Sequence, residues 1–154
     1  MSKILIISME YPPATGGAGV IAQDIAVKLV RNKFNVTVVT NYLGRDETVD
    51  FELIEVKTIP KYRFISLWNK IRKLPLESYQ KIILNDIGAS MVAAFFFDEE
   101  LQKKSIVIFH GSEPEKIFIK PSLLFKSIGF KNRYLSLLER CSVILSVSNY
   151  MKKK

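Results

Sequence analysis

The residues of this chain best suited to chemistry gather at three places. Glu10 and Tyr11 lead into the glycines Gly16, Gly17 and Gly19, Asn85-Asp86 closes an apolar run, and His110-Gly111-Ser112-Glu113 closes another. The first place reads as a buried strand, a Pro-closed turn, a glycine cluster and a helix. That order sets bare backbone N–H groups at the positive end of a helix dipole, beside the carboxyl end of a strand, where phosphate-bearing ligands bind in open α/β sheets. His110 is the only histidine, which rules out a His-rich metal centre and any mechanism that needs two imidazoles. Its place after a strand and before Gly111 suits a cleft residue; a hydrogen-bonded structural histidine is the other reading, and the residues alone leave both open.

Gly17-Ala18-Gly19-Val20-Ile21-Ala22 matches the dinucleotide fingerprint G-x-G-x-x-G/A letter for letter. Its context argues against a nicotinamide site, because Ser8 to Thr15 separate the glycines from the strand and the second strand ends in Thr40-Asn41 without an acid for a ribose hydroxyl. A P-loop is excluded, since no Gly-Lys-Ser/Thr sequence is present. The long connection instead forms a roomy loop able to carry Glu10 and Tyr11 over a cleft. Glycines that merely allow tight helix–sheet contact are the competing explanation, but Gly16 and Gly17 exceed what such packing needs.

The elements that must hold these residues follow from periodicity. The run from Ile4 to Ile7 is continuous and apolar, as in a strand covered on both faces. Ile21, Ile25 and Leu29 recur at helical spacing, with the helix stopped at Asn32 or Lys33 and Asn32 the better left-handed candidate. Strands are predicted at 36–40, 51–59, 81–86, 105–109 and 143–147, the first βαβ unit having a right-handed crossover. Helices are predicted at 65–74, with Ile65, Trp68 and Ile71 on one side, at 91–101 after a turn at Gly88-Ala89-Ser90, and at 134–141. Ser148 is a good N-cap for a further helix. Asp98, Glu99 and Glu100 at the end of the second of these helices oppose its dipole. The stretch 115–130 is irregular, broken by Pro121 and Gly129. The pattern as a whole predicts one α/β domain over residues 1–154, a mainly parallel sheet with helices on both faces.

Length and composition fit that domain: 154 residues, 48% of them hydrophobic, are enough to bury a sizeable core. One cysteine, Cys141, excludes an internal disulfide and a Cys-based zinc site. The apolar runs are too short for a signal peptide or a bilayer span, so a cytoplasmic protein is expected. A net charge of +8 makes an anionic partner as plausible as a merely solvated surface. Lys61, Arg63, Trp68, Lys70, Arg72 and Lys73 interleave cations with an aromatic, a pattern that can lie on an anionic membrane face, although an ordinary surface helix packing Trp68 inward is the favoured explanation. Nucleic acid is not expected, because no recognised motif accompanies the charge.

Taken in order, the strand with Met-Glu-Tyr-Pro-Pro, Gly16-Gly17-Ala18-Gly19, the helix, Val-Thr-Val-Val-Thr, the strand ending Phe-His-Gly-Ser-Glu and the strand ending Val-Ser-Asn-Tyr-Met resemble the N-terminal domain of retaining GT-B glycosyltransferases, the family 4 and glycogen synthase-like group. The resemblance covers essentially the whole chain. It implies a Rossmann-like domain that binds the acceptor and closes over a nucleotide-diphosphate sugar held mainly by a C-terminal domain. By that resemblance Gly16, Gly17 and Gly19 approach the donor diphosphate, His110 contacts the transferring sugar as the catalytic residue, and Glu10, Tyr11, Asp86, Ser112 and Glu113 line the cleft. Neither a cofactor nor a metal is expected. The family's Gly-His before the second strand is Lys33-Phe34 here, at the opposite end of the sheet. The C-terminal domain, with its paired-glutamate motif, is missing, so the chain is expected to be inactive alone; cell-envelope polysaccharide synthesis at the inner membrane face is the implied setting. A free-standing Rossmann-like module for a phosphorylated ligand, without catalysis, is the alternative.

Overall fold

Residues Ile4 to Ser8 are all buried, as a strand sandwiched between helical layers must be. The computed structural model describes residues 2–13, 16–41, 44, 49–60 and 62–147. In it the strands β1 (Lys3–Ser8), β2 (Asn35–Asn41), β3 (Glu52–Val56), β4 (Lys81–Leu84), β5 (Ser105–Phe109) and β6 (Val143–Ser146) form one sheet. Its order is β3-β2-β1-β4-β5-β6 and every pairing is parallel. This is the doubly wound order of the Rossmann fold, whose direction of winding reverses between β1 and β4. The sheet is fully parallel where a mainly parallel one was expected.

Period-two alternation along β1 divides the core. Ile4 and Ile6 join Val36, Val38, Ala22 and Ala26 under helix α1 (Gly17–Arg31). Leu5 and Ile7 face the other layer, formed by α2 (Arg63–Ile71), α3 (Ile87–Phe96), α4 (Glu99–Lys104), α5 (Leu123–Ser127) and α6 (Phe130–Arg140). A parallel sheet with two apolar faces needs both layers, since neither face could remain in water.

Several local expectations are corrected. Gly88, Ala89 and Ser90 are not a turn but the first turns of α3, because Asp86 caps that helix by accepting from the Ala89 N–H at 2.8 Å. The predicted helix 91–101 is two helices: Asp98 caps α4, so Glu99 and Glu100 stand at a helix N-terminus, where negative charge is favourable. The left-handed residue after α1 is Lys33 (φ 63°) rather than Asn32. Asn32 instead turns its side-chain amide back onto the Lys28 carbonyl at 2.8 Å. Helix α2 starts two residues early and buries Leu67 and Ile71, with Phe64 and Trp68 half-buried, while Ile65 is 37% exposed. Trp68 stacks on Phe96 with the rings parallel, 5.1 Å between centroids, and so belongs to the packing of α2 on α3. Helix α6 begins at Phe130, directly after Gly129, whose φ of 64° favours glycine. The irregular stretch holds a π-helical turn (Glu115–Ile119) and α5. Lys61 and the expected cap Ser148 lie outside the described residues.

Among the described residues no helix is long and apolar enough to cross a membrane.

Candidate functional site

At the point where the winding reverses, the carboxyl ends of β1, β4 and β5 and the start of α1 surround a cavity of about 530 Å³. Glu10, Gly17, Asp86, His110, Ser112 and Glu113, all named from the sequence, line it, together with Arg63 and Lys116. Rossmann topology puts a crevice there because the chains leaving β1 and β4 turn to opposite faces.

The rim is built on backbone hydrogen bonds. The Asp86 carboxylate caps α3 with Oδ1, while Oδ2 accepts from the N–H groups of Met9 and, at 3.2 Å, Glu10. The Ser8 hydroxyl shares its proton between the Glu10 carbonyl and Asp86 Oδ2, and on the other side the Asn41 amide donates to the Met9 carbonyl at 3.0 Å. The loop after β1 is thus held from both neighbouring strands. Burial pushes the Asp86 carboxyl up from its ordinary value; the bonds from Ala89, Glu10, Met9 and Ser8 oppose that rise without cancelling it. Asp86 therefore positions the loop and the helix more than it offers itself to a ligand.

Asn85, which the sequence marks only as the polar end of a strand, has a larger part than that position announces. It is fully buried, and its side-chain amide donates to the Ser8 hydroxyl at 2.9 Å and to the Ala18 carbonyl in the first turn of α1 at 2.8 Å. Its own main-chain carbonyl accepts from His110 Nε2 at 2.6 Å. One side chain therefore joins β1, β4 and the glycine helix, and its backbone orients the histidine. The only hint in the sequence is a polar residue at the end of an apolar strand, which is equally the mark of a strand simply leaving the core.

Because a carbonyl can only accept, the contact to Asn85 fixes the Nε2–H tautomer of the neutral ring. Nδ1 is then an acceptor, suited to a hydroxyl donor. The loop that follows is set by Glu113, 4% exposed, whose carboxylate accepts from the N–H groups of His110 at 3.0 Å and Gly111 at 2.7 Å. Gly111 has a φ of 120°, which a side chain would strain. Burial, chiefly, and the negative charge of Glu113 push the Tyr134 hydroxyl far above its ordinary value, so it stays protonated.

The glycines have separate jobs. Gly17 is exposed and lines the cavity, with open space where a Cβ would stand. Gly19 does not line it: a Cβ there would lie 2.9 Å from both N and Cα of Tyr11, so this glycine lets α1 rest on the backbone of the preceding loop. At Gly16 a Cβ would meet the Glu10 carboxylate, which lies against the N-terminus of α1. Tyr11 is corrected in the same way, being a wholly buried core residue under α1 and not part of the cavity wall. The helix N-terminus supplies N–H groups without intrahelical acceptors, as all helices do. Among the described residues no group of three His, Cys, Asp or Glu could hold a metal ion.

A model of Glycosyltransferase Family 4 matches residues 15–154. Among solved structures, a sucrose-phosphate synthase from Thermosynechococcus elongatus is similar with a TM-score of 0.71 at 13% identity, over 99% of this chain and 44% of that one. WaaG, a glycosyltransferase involved in lipopolysaccharide biosynthesis, is similar with a TM-score of 0.61 at 13% identity, over 97% of this chain and 40% of that one. The chain thus spans less than half the length of either, and the likeness is one of fold. No curated protein matches the chain.

Proposed function

The chain belongs to Glycosyltransferase Family 4, and from that premise we propose that it forms the acceptor-side wall of a cleft in which a sugar passes from a nucleotide diphosphate to an acceptor with retention of anomeric configuration. The observation that carries the reading is the meeting of Gly17 and His110 in one cavity at the reversal of the sheet. The N-terminal N–H groups of α1 would stabilise negative charge growing on the departing diphosphate, a preorganised electrostatic contribution that costs no reorganisation in the transition state. His110, held by Asn85 and Glu113, would accept a hydrogen bond from a hydroxyl of the sugar through Nδ1. The Glu10 carboxylate lies where the diphosphate would come, and it swings aside when the donor enters.

The nucleotide itself would rest on a second domain, so the chain alone does not turn over. The test is incubation of the purified chain with nucleotide sugars, alone and together with a nucleotide-binding domain of the family, with the anomer of the product read by NMR. Transfer with retention only when that domain is present is expected; transfer by the chain alone, or inversion, overturns the reading. Binding of a phosphorylated ligand with no transfer under any pairing would instead favour a non-catalytic module built on the same cradle. The exposed cations Arg63, Lys70, Arg72 and Lys73 offer an electrostatic contact to an anionic membrane face, without Trp68 as an anchor. Sedimentation with anionic and neutral vesicles tests it, and equal binding to both removes it.

A further inference from the structure

Two cations of the cleft have no work to do in the fold. Arg63 opens α2, Lys116 lies in the π-helical turn Glu115–Ile119, both are exposed, and both line the cavity that holds His110. Among the described residues the ion pairs are those of Lys103 with Glu99 and Glu100 and of Lys120 with Glu115; neither Arg63 nor Lys116 has a side-chain partner there. Arg63 even stands in the first turn of its helix, where the dipole repels a positive charge, and Tyr62 gives that helix no side-chain cap.

The acids nearby do not answer them. Asp86 and Glu113 are each held by two or more backbone N–H groups, and the Glu10 carboxylate lies over Gly16. Beyond Arg63 the wall changes character. A smaller hollow of about 120 Å³, sharing Met9 and Arg63 with the main cavity, is otherwise apolar: Phe64, Met91 and Leu124.

Resting on the sugar-transfer reading, we propose that Arg63 and Lys116 bind a phosphate group carried by the acceptor, and so select phosphorylated acceptors over neutral ones. Two unpaired cations from separate elements suit a doubly charged monoester, Arg63 through its planar fork and Lys116 as a point charge. Such a phosphate could belong to a sugar phosphate or to an alkyl phosphate whose chain enters the apolar hollow.

The test is NMR titration of the chain with glucose 6-phosphate, glucose, n-octyl phosphate and UDP. Glucose 6-phosphate or octyl phosphate should shift the Arg63, His110 and Lys116 signals where glucose does not. Arg63→Gln and Lys116→Gln, both at exposed positions, should each weaken that binding on the order of tenfold, the loss expected for one hydrogen bond to a charged group. Octyl phosphate binding more tightly than glucose 6-phosphate, with that advantage lost in Leu124→Ser, assigns the phosphate to an alkyl source; glucose 6-phosphate binding more tightly than octyl phosphate, with both unmoved by Leu124→Ser, assigns it to a sugar. Equal response to glucose and glucose 6-phosphate, unchanged binding in the double variant, or competition by UDP for the same shifts overturns the proposal. Absence of sugar transfer even with a nucleotide-binding domain of the family present, together with Arg63-dependent phosphate binding, would defeat the transferase reading and leave the phosphate site standing, so the two failures are told apart.

Discussion

Gly19→Ala separates packing from chemistry among the glycines. The added methyl would lie 2.9 Å from the N and Cα of Tyr11 and 3.1 Å from the carbonyl carbon of Glu10. All three are backbone atoms in a loop held by Asp86 and Asn41, so neither side can yield without breaking those hydrogen bonds. Forcing such a contact costs about 1–3 kcal/mol in a packed interior. Replacing a helical glycine returns up to about 1 kcal/mol. The balance is a destabilisation centred near about 1 kcal/mol for a variant that deletes nothing. Gly17→Ala is the control: with nothing within 4 Å of the new methyl it should match or slightly exceed the parent in stability. Urea unfolding followed by Trp68 fluorescence measures both, the change being taken in the midpoint at constant slope. A Gly19→Ala variant as stable as the parent would refute the assignment of this glycine to helix–loop contact.

Asn85→Ala removes two side-chain hydrogen bonds, to Ser8 and Ala18, from a fully buried position. It should cost about 2–3 kcal/mol by urea unfolding and broaden the His110 ring signals; an unchanged midpoint would show that β4 and α1 are joined by packing alone. Glu10→Gln takes the negative charge from the N-terminus of α1, so a diphosphate such as UDP should bind several-fold more tightly by titration, and weaker binding would show that Glu10 assists the ligand. The raised Asp86 carboxyl means that the folded chain holds this proton more firmly than the unfolded one. Its contribution is therefore present below about 3.9, the ordinary carboxyl value, and is lost as pH rises through the raised value. The stability of the parent relative to Asp86→Asn should fall over that range in urea melts at stepped pH, and a flat difference would rule the shift out. Trp68→Ala, which ends the stacking on Phe96, should cost about 2 kcal/mol of stability, with no loss of binding to anionic vesicles; a loss would return Trp68 to the membrane contact.

The sequence by itself determined the strands and the order in which the cleft-lining pieces arrive. Continuous apolar runs such as Ile4–Ile7 have to be buried on both faces, and a parallel sheet is what buries them. Strand ends then deliver Glu10, Asp86 and His110 to one edge, because every strand of a parallel sheet points the same way. The helix boundaries around Asp86 and Asp98 were written there too, as N-caps, yet apolar periodicity ran across them and hid the break between α3 and α4.

Only the tertiary structure decided which polar residue does what. Gly17 and Gly19 differ by two positions in the sequence, and one meets open space while the other meets the Tyr11 backbone. Tyr11 looked like a loop residue and is in the core, and Asn85 looked like a strand end and joins three elements. Arg63 and Lys116, 53 positions apart in the chain, come to line one cavity. The physical reason is the same in each case: composition and period report the environment of an element's face, whereas a hydrogen bond or a close backbone contact depends on what another element, distant in sequence, brings to within a few ångströms.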